Sequence, residues 1–248
     1  MEVLGIDIGG TGIKGATVDV ATGLLTNERF RLPTPKNATP EAVSAIVEEI
    51  SAHFNWSGTI GCTVPARVEH GLVRTAANIH AFWIDTHVED LFSSATGQKV
   101  TVLNDADAAG LASVTFGAGK GRDGIVFFIT VGTGIGSAMF LDQKLIPNTE
   151  LGHLVLHKNA AELYASDRVR KKKDLSWKKW AGRFQEYLDR LEFLFAPDTI
   201  ILGGGISRPS KAEQYLPYLA TNAELVTATL QNEAGIIGAA LAASLEAK

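Results

Sequence analysis

Cysteine is almost missing from this chain, because Cys62 is the only one among 248 residues. A single thiol excludes a disulfide framework within the chain and a cysteine-rich zinc site built by this chain alone. Long apolar runs are missing too, since no stretch reaches the roughly 18 residues that span a membrane. The first residues show no basic segment followed by an apolar one, as a secretory signal would. We therefore expect a cytoplasmic protein that contacts no membrane.

A large excess of charge of one sign is also lacking, because 23 Lys and Arg oppose 27 Asp and Glu, a formal net charge of -4. Residues 165–183 (ASDRVRKKKDLSWKKWAGR) depart from this balance. The cations there are Arg168, Arg170, Lys171, Lys172, Lys173, Lys178, Lys179 and Arg183, opposed only by Asp167 and Asp174. Such a run is either a solvated surface or a binding site for a polyanion.

Short apolar runs bounded by glycine predict strands, and they occur twice in the same order. The predicted strands are residues 3–8, 13–18 and 27–32, then 59–64, 72–74 and 100–103, and later 125–131, 137–141, 144–146 and 199–202. Thr39 and Pro40 begin a predicted helix that ends near Phe54. Further helices are expected over residues 106–116 and 233–247, and an apolar period near 3.6 predicts a long amphipathic helix after Asp174.

Three of these strands lead into glycine turns. Residues 7–15 (DIGGTGIKG), 130–137 (TVGTGIGS) and 202–207 (LGGGIS) combine small residues with hydroxyls, so backbone amides can approach an anion such as phosphate closely. The turns match neither the P-loop spacing nor the dinucleotide-binding fingerprint. They are either simple hairpins or a phosphate clamp built on two sheets, as in actin-like proteins, and three of them together favour the clamp.

The sequence resembles the ROK family of sugar kinases and repressors from residue 3 to the last helix. The motifs that carry the resemblance are LNDADAAG, TVGTGIGS, PNTELGHL, LYASDRVRKKKDLSWKKWAGR and ILGGGIS. It implies an α/β protein of the actin-like, ribonuclease-H-like sugar kinase fold, with two α/β domains, a cleft between them, and assembly as a homodimer. We expect a small N-terminal domain of residues 1–104, a larger one of residues 105–232, and a final helix (233–248) that packs back on the first.

Phosphorylation of a sugar requires a base that accepts the hydroxyl proton. Asp105 follows a buried strand and is the candidate catalytic base, although an aspartate there could instead cap the next helix. The resemblance implies that Asn104, Asp105, Glu150, His153 and Glu162 bind glucose. For Glu162 an exposed position at the start of a helix is the alternative.

Two departures from the family pattern affect this site. The cysteine-rich loop that binds zinc in many members is absent from residues 155–161, so we expect no zinc site. In residues 61–68 (GCTVPARV) the family prefers a glycine at the position of Ala66, and alanine lacks the freedom of glycine at positive φ. We therefore expect a remodelled sugar loop, with Thr63 and Pro65 as neighbours of the sugar.

The phosphoryl donor would meet the glycine turns. The candidate phosphate or nucleotide ligands are Asp7, Gly9, Gly10, Thr11, Gly12, Lys14, Thr133 and Gly134, and Gly203, Gly204 and Gly205 would border a nucleoside. The resemblance implies that Asp7 holds the cofactor Mg²⁺, directly or through water. Lys14 has the alternative of facing solvent.

The basic run would guide a linear anion. Trp177 and Trp180 suggest stacking on single-stranded nucleic acid, but the helical period places both on the apolar face, so we expect no nucleic acid partner. A chain of phosphates without bases suits Arg168, Arg170, Lys171, Lys172, Lys173, Lys178 and Lys179.

The predicted function is transfer of a phosphoryl group from polyphosphate, and also from ATP, to the 6-hydroxyl of glucose. A kinase that uses ATP alone is the first alternative. A sugar-sensing repressor is the second alternative. It is disfavoured because the first predicted strand, which leads into the first glycine turn, begins at Val3, and we expect no room for a DNA-binding domain before it.

Overall fold

The structure is a computed structural model that describes residues 1–76 and 79–246. The predicted end of the last helix at Ala247 lies outside the described residues. The strands are β1 (Glu2–Gly9), β2 (Gly12–Asp19), β3 (Leu24–Leu25), β4 (Phe30–Leu32), β5 (Ile60–Val64), β6 (Val68–Glu69), β7 (Leu72–Val73), β8 (Val100–Asn104), β9 (Ile125–Val131), β10 (Ile135–Leu141), β11 (Lys144–Ile146), β12 (Val155–Leu156), β13 (Asn159–Ala160), β14 (Thr199–Gly203) and β15 (Glu224–Thr227).

The helices begin and end close to the predicted positions where a prediction was made. They are α1 (Pro40–His53), α2 (Val88–Thr96), α3 (Asp105–Phe116), α4 (Glu162–Ala165), α5 (Asp167–Lys172), α6 (Trp177–Phe195), α7 (Pro209–Tyr215) and α8 (Ala234–Glu246). The Thr39 side chain caps α1 by accepting from the Ala42 amide, and Pro40 occupies the first turn. Both features were visible as sequence signals.

The chain forms two compact units. The first unit contains Met1–Ala112 and Glu233–Lys248, and the second contains Ser113–Asn232. Each unit has its own sheet and its own buried cluster of apolar side chains.

The sheet of the first unit has the strand order β3-β2-β1-β5-β8, with β4 also paired to β2. β1 and β2 form an antiparallel hairpin in which Gly9 is opposite Gly12. β1, β5 and β8 run parallel, so their carboxyl ends lie at one edge of the sheet. Asp7, Thr63 and Asn104 lie at or near these ends, which places polar side chains at the edge where α/β proteins bind ligands.

Helix α8 lies directly on this sheet. A Cβ atom on Gly5 would collide with the carbonyl oxygen of Ile236, and one on Gly61 would collide with that of Ala239. On the helix itself, a Cβ on Gly238 would collide with the carbonyl of Ala108. Glycine is therefore needed at these positions because backbone approaches backbone.

The sheet of the second unit repeats the plan, with the order β11-β10-β9-β14-β15. β9, β10 and β11 are antiparallel neighbours, and β9, β14 and β15 are parallel. The repeated pattern of strand, glycine turn and strand in the sequence thus corresponds to a repeated sheet topology.

The long helix α6 covers the core of the second unit. Trp180, Phe184, Tyr187 and Leu188 are all fully buried on one face, as the apolar period predicted. The apolar period extends to Leu194 and Phe195 in the last turn, and it was wrong for Leu194, which is 48% exposed. Phe195 does face the core, because its ring packs edge-on against Phe127 at 5.3 Å.

Among the described residues, no helix combines the length and the apolar character that crossing a membrane requires.

Candidate functional site

The end of β8 carries two polar side chains with different environments. Asn104 is buried, and its Oδ1 accepts from the amides of Ala106 (2.8 Å) and Asp107 (3.2 Å). Asn104 therefore caps α3, because its side chain satisfies amides that the first turn leaves unpaired. Asp105 is exposed and accepts from the Ala106 amide at 2.9 Å. The capping role considered for Asp105 thus belongs mainly to its neighbour.

The same asparagine also fixes the loop that follows β5. Its Nδ2 donates to the carbonyl of Ala66 at 3.1 Å, and the Ala66 amide donates to the carbonyl of Val64 at 2.8 Å. Ala66 is not among the residues with positive φ. Alanine at this position is therefore accommodated without backbone strain.

Asp7 lies at the end of β1 with two partners. Its Oδ1 accepts from Thr63 Oγ1 at 3.0 Å, and its Oδ2 lies 3.5 Å from Lys14 Nζ. Thr63 is fully buried and also accepts from the Ile8 amide. The sequence treated Thr63 as a neighbour of the sugar, whereas in the structure it orients the Asp7 carboxylate. The observation that identifies this role is that Thr63 pairs with Asp7 in the parallel register of β1 and β5. That register cannot be predicted without the order of strands in the sheet.

The first glycine turn joins β1 to β2 and is held from outside. Arg31 Nη2 donates to the carbonyl of Thr11 at 2.8 Å, and Thr34 Oγ1 donates to that of Gly9 at 2.5 Å. A Cβ on Gly12 would lie 2.5 Å from Arg31 Nε. Gly10 differs, since a Cβ there would meet nothing within 4 Å. Arg31 was not predicted, because its position depends on the pairing of β4 with β2.

The second glycine turn joins β9 to β10 in the second unit. Within it the Gly132 amide donates to the carbonyl of Gly134 at 3.0 Å. The amide of Ile135, just after the turn, donates to Glu162 Oε2 at 3.3 Å, and Glu162 is buried. A Cβ on Gly152 would collide with the carbonyl of the same Ile135. The turn is therefore packed against both Glu162 and residues 150–153, which we call the ELGH segment.

Ser137 anchors the ELGH segment to β10. Its hydroxyl donates to the carbonyl of Thr149 and accepts from the Leu151 amide at 2.9 Å. In the turn that follows, His153 Nε2 lies 3.6 Å from Glu150 Oε2, and both side chains are partly exposed. The structure thus brings Glu150 and His153 together, and Gly152 and Glu162 both meet Ile135, which follows the glycine turn.

A cavity of about 640 Å³ lies beside this turn within the second unit. Its lining residues are Gly132, Thr133, Asp167, Arg168, Lys171, Lys172, Gly205 and Lys211. The basic segment reaches the turn directly, because the Arg168 amide donates to the carbonyl of Gly132 at 3.1 Å. The cavity therefore combines two of the glycine turns with four cationic side chains and one carboxylate.

The predicted basic residues divide into two groups. Arg168, Lys171 and Lys172 line the cavity, whereas Lys173, Lys178 and Lys179 are exposed and lie outside its lining. Arg170 faces inward, since its Nε donates to Asp167 Oδ1 at 2.8 Å and its guanidinium lies 3.9 Å from the centre of the Trp177 ring. Arg170 thus stabilises the segment rather than lining the cavity.

Asp167 is the one carboxylate in the cavity lining. It accepts from Arg170 and, at 2.8 Å, from Lys171 Nζ. Burial alone would raise the pKa of Asp167, but the hydrogen bonds from Lys171 and Arg170 outweigh it and leave the pKa lowered. Asp167 is therefore ionised at neutral pH and offsets part of the positive charge.

The third glycine turn follows β14. Gly204 has a φ of 74°, which favours glycine, and a Cβ on Gly203 would lie 2.6 Å from the Phe128 ring. Gly205 differs from both because it lines the cavity. Lys211 on α7 also lines this cavity. It was not predicted, because no local sequence signal indicates that it approaches Gly205.

The described residues hold no group of three or more His, Cys, Asp and Glu side chains that could bind a metal ion.

A family model described as "ROK family" matches residues 3–168. A polyphosphate glucokinase of Mycobacterium tuberculosis is 48% identical over 239 residues, which cover 96% of this chain and 89% of the relative. The expected resemblance is therefore confirmed.

Solved structures agree with this result. The inorganic polyphosphate/ATP-glucomannokinase of Arthrobacter sp. strain KM is 46% identical, with a TM-score of 0.93 and 99% coverage of both chains. A ROK family glucokinase of Streptomyces griseus, in complex with glucose and AMPPNP, has a TM-score of 0.83 at 24% identity and covers 99% of this chain and 100% of that chain, which supports the fold alone. The α/β sugar kinase fold is confirmed, and the chain belongs to the ROK family.

Proposed function

We propose that this chain transfers the terminal phosphoryl group of inorganic polyphosphate to the 6-hydroxyl of glucose and yields glucose 6-phosphate. The observation that carries the proposal is the cavity at the glycine turns, which is lined by four cationic side chains. Relatives at 46–48% identity whose names specify polyphosphate and glucose or mannose support it.

On the acceptor side, Asp105 is the proposed catalytic base. The 6-oxygen of glucose forms a bond to the terminal phosphorus, the bridging P–O bond breaks, and the shortened polyphosphate leaves. The hydroxyl proton passes to the Asp105 carboxylate. Exposure of Asp105 supports this role, because the base must reach a substrate that enters from solvent.

The remaining sugar ligands would orient the hydroxyls. Asn104 has two amide N–H groups, and its bond to Ala66 uses one of them. Glu150 and His153 lie side by side, and Glu162 is fixed by the Ile135 amide. Asn104 and Glu162 are therefore held in place before the sugar binds, which favours orientation with little further loss of side-chain entropy.

On the donor side, the glycine turns would bind phosphate oxygens. Gly10 and Gly132 support this proposal, because a Cβ at either position would meet nothing within 4 Å of the protein and neither φ is positive. The fold does not require glycine at these two positions. Close approach of a phosphate donor to the backbone would explain why both positions are glycine.

A linear polyphosphate carries about one negative charge per repeat, so its binding to lysine and arginine releases counterions as nucleic acids do. Arg168, Lys171, Lys172 and Lys211 present such a surface in the cavity. ATP is the proposed second donor, with its nucleoside beside Gly203, Gly204 and Gly205. The Arthrobacter protein, named for both donors, supports this part.

Mg²⁺ is the proposed cofactor, and it would offset the charge of the transferring phosphoryl group. Asp7 fits a magnesium ion that keeps most of its water shell, because Thr63 fixes one oxygen of its carboxylate. Lys14 beside the other oxygen would contact the donor phosphates.

We further propose a cytoplasmic homodimer that binds neither nucleic acid nor membranes. The location is supported by the lack of a disulfide framework, because Cys62 is the chain's single cysteine. Assembly as a dimer rests on the family resemblance.

Initial rates with polyphosphate and with ATP, at saturating glucose and several salt concentrations, test the donor. We expect kcat/KM for polyphosphate to fall steeply with salt, and Lys172→Gln to lower it. Lys144→Gln, an exposed lysine on β11 outside the cavity lining, is the matched control and should act like wild type. Activity with ATP alone, without sensitivity to salt, would instead favour an ATP-dependent glucokinase.

A further inference from the structure

The fourth cation of the cavity lining, Lys211, comes from a different part of the chain than the other three. Arg168, Lys171 and Lys172 belong to α5, whereas Lys211 lies on α7, which follows the third glycine turn. Its Nζ lies 3.8 Å from the position that a Cβ on Gly205 would occupy. Lys211 thus brings positive charge to the turn proposed to border a nucleoside.

Helix α7 holds this lysine in a defined position. Tyr215 is fully buried and its hydroxyl donates to the carbonyl of Ile206 at 3.3 Å, while Ala212 is buried beside Lys211. The Lys211 amide donates to the carbonyl of Arg208 at 2.9 Å. The backbone that carries the ammonium group is therefore anchored on both sides.

Lys211 and Lys171 differ in whether a carboxylate is paired with the ammonium group. Lys171 is paired with Asp167 at 2.8 Å. Within residues 1–76 and 79–246, no carboxylate lies within ion-pair distance of Lys211. Lys211 is half-buried in the cavity wall with its charge not offset by the protein, so an anion would gain the full attraction.

We infer that Lys211 selects the donor by binding phosphates beyond the third from the transferred end. This inference rests on the proposed function. ATP has three phosphates and then continues as an uncharged ribose and a base, whereas polyphosphate continues as a row of charges. A cation at Gly205 therefore stabilises bound polyphosphate and adds little for ATP.

The experiment compares Lys211→Gln with wild type and with Lys144→Gln, using long-chain polyphosphate, tripolyphosphate and ATP as donors. We expect kcat/KM for the long chain to fall about tenfold, as for loss of one charged hydrogen bond. The slope of log kcat/KM against log salt should become shallower by about one. Values for tripolyphosphate and ATP should change less than twofold, and Lys211→Arg should restore the long-chain value.

Other outcomes overturn the inference in recognisable ways. Equal losses with all three donors would make Lys211 a general phosphate ligand, and no loss with any donor would remove it from the site. If wild type fails to use polyphosphate at all, the proposed function itself falls, whatever the variant does. Unfolding by urea, followed by circular dichroism, checks that Lys211→Gln folds like wild type.

Discussion

Two adjacent residues at the junction of β8 and α3 have different roles: one caps the helix and the other is the proposed catalytic base. Asn104 is buried and caps α3, so it keeps the start of the helix in place. Asp105 is exposed at the first position of that helix. A carboxylate that the fold does not need as its main cap can serve chemistry instead, and this can be tested separately from stability.

Replacement of Asp105 by asparagine should lower kcat by a factor of about 100 or more, because the variant lacks a group that accepts the hydroxyl proton. Glucose binding should persist, since the amide keeps the size and one acceptor oxygen of the side chain. Glucose affinity from calorimetry and turnover from a coupled assay for glucose 6-phosphate provide the two measurements.

Asp90→Asn, the same substitution at an exposed position of α2, is the control and should leave both values unchanged. Near-normal turnover of the Asp105 variant would place the base on another residue.

Gly10 and Gly132 provide a test of the phosphate turns at the same scale. Gly10→Ala and Gly132→Ala should leave the free energy of unfolding within about 0.5 kcal/mol of wild type, because the fold leaves room for a methyl group. The KM for both donors should rise several-fold, since a methyl group blocks close approach of phosphate to the backbone. Urea denaturation and initial rates measure these effects.

Gly97 offers the opposite case and serves as the control. It ends α2 with a φ of 66°, so Gly97→Ala should cost about 1 kcal/mol of stability without changing donor KM. An unchanged KM in both turn variants would argue that the turns are simple hairpins.

At the scale of elements, the contact between α8 and the first sheet depends on glycine. A methyl group on Gly61 would collide with the backbone of α8, and neither backbone can move without disturbing the sheet. Gly61→Ala should therefore lower the free energy of unfolding by more than about 3 kcal/mol, as overpacking at a rigid contact does. The urea midpoint measures this.

Gly182 on α6 is the contrasting position, because it is exposed and a Cβ there would meet nothing within 4 Å. Gly182→Ala should raise the free energy of unfolding by about 0.5 to 1 kcal/mol, the gain in helix propensity. A tolerated Gly61→Ala would mean that α8 is more loosely packed than the structure indicates.

The elements also show what the sequence could predict. The bounds of β9 and β11 were predicted correctly, and α6 was found from its apolar period, because these signals are local. The helices α2 and α7 and the strand β15 were missed, since all three are short and short elements depend on contacts with distant segments more than on local signals.

The same reason divides the candidate site. The pair of Glu150 and His153 belongs to one short motif, PNTELGHL, and other motifs identified Asp105 and Glu162. Arg31 and Lys211 were not identified as parts of the site, and Thr63 was expected beside the sugar rather than at Asp7, because each position depends on strand register or on the packing of another helix.

For the molecule as a whole, charge is distributed unevenly. A chain with a net charge of -4 concentrates four cations at one cavity.

Two carboxylates that are removed from solvent to different extents have pKa values shifted in opposite directions. Hydrogen bonds lower the pKa of Asp167, whereas burial raises the pKa of Glu89 from its ordinary value, 4.5, despite a hydrogen bond from the Val102 amide. These two groups should give stability opposite dependences on pH.

Asp167 binds its proton more weakly in the folded protein than in the unfolded chain. Its contribution to stability is therefore present above the ordinary aspartate pKa of 3.8 and is lost as the pH falls through the lowered value. Glu89 binds its proton more strongly when folded, so its ionisation costs stability at neutral pH, and this cost disappears as the pH falls through its raised pKa.

Two isosteric substitutions should separate these effects. At pH 7, Asp167→Asn should lower the free energy of unfolding by about 1 to 3 kcal/mol, because Arg170 and Lys171 lose their charged acceptor. Glu89→Gln should raise it, since the amide oxygen can still accept from Val102 without the cost of burying a charge. Urea unfolding at pH values from 3 to 7 measures both. At the acid end Glu89→Gln should approach wild type, because the parent carboxyl with its raised pKa is then neutral as well. The deficit of Asp167→Asn should begin to shrink only below pH 3.8, because the lowered pKa keeps the folded carboxyl ionised. A shift in the same direction for both variants at pH 7 would contradict this account, since it would mean that burial and hydrogen bonding do not act oppositely on the two groups.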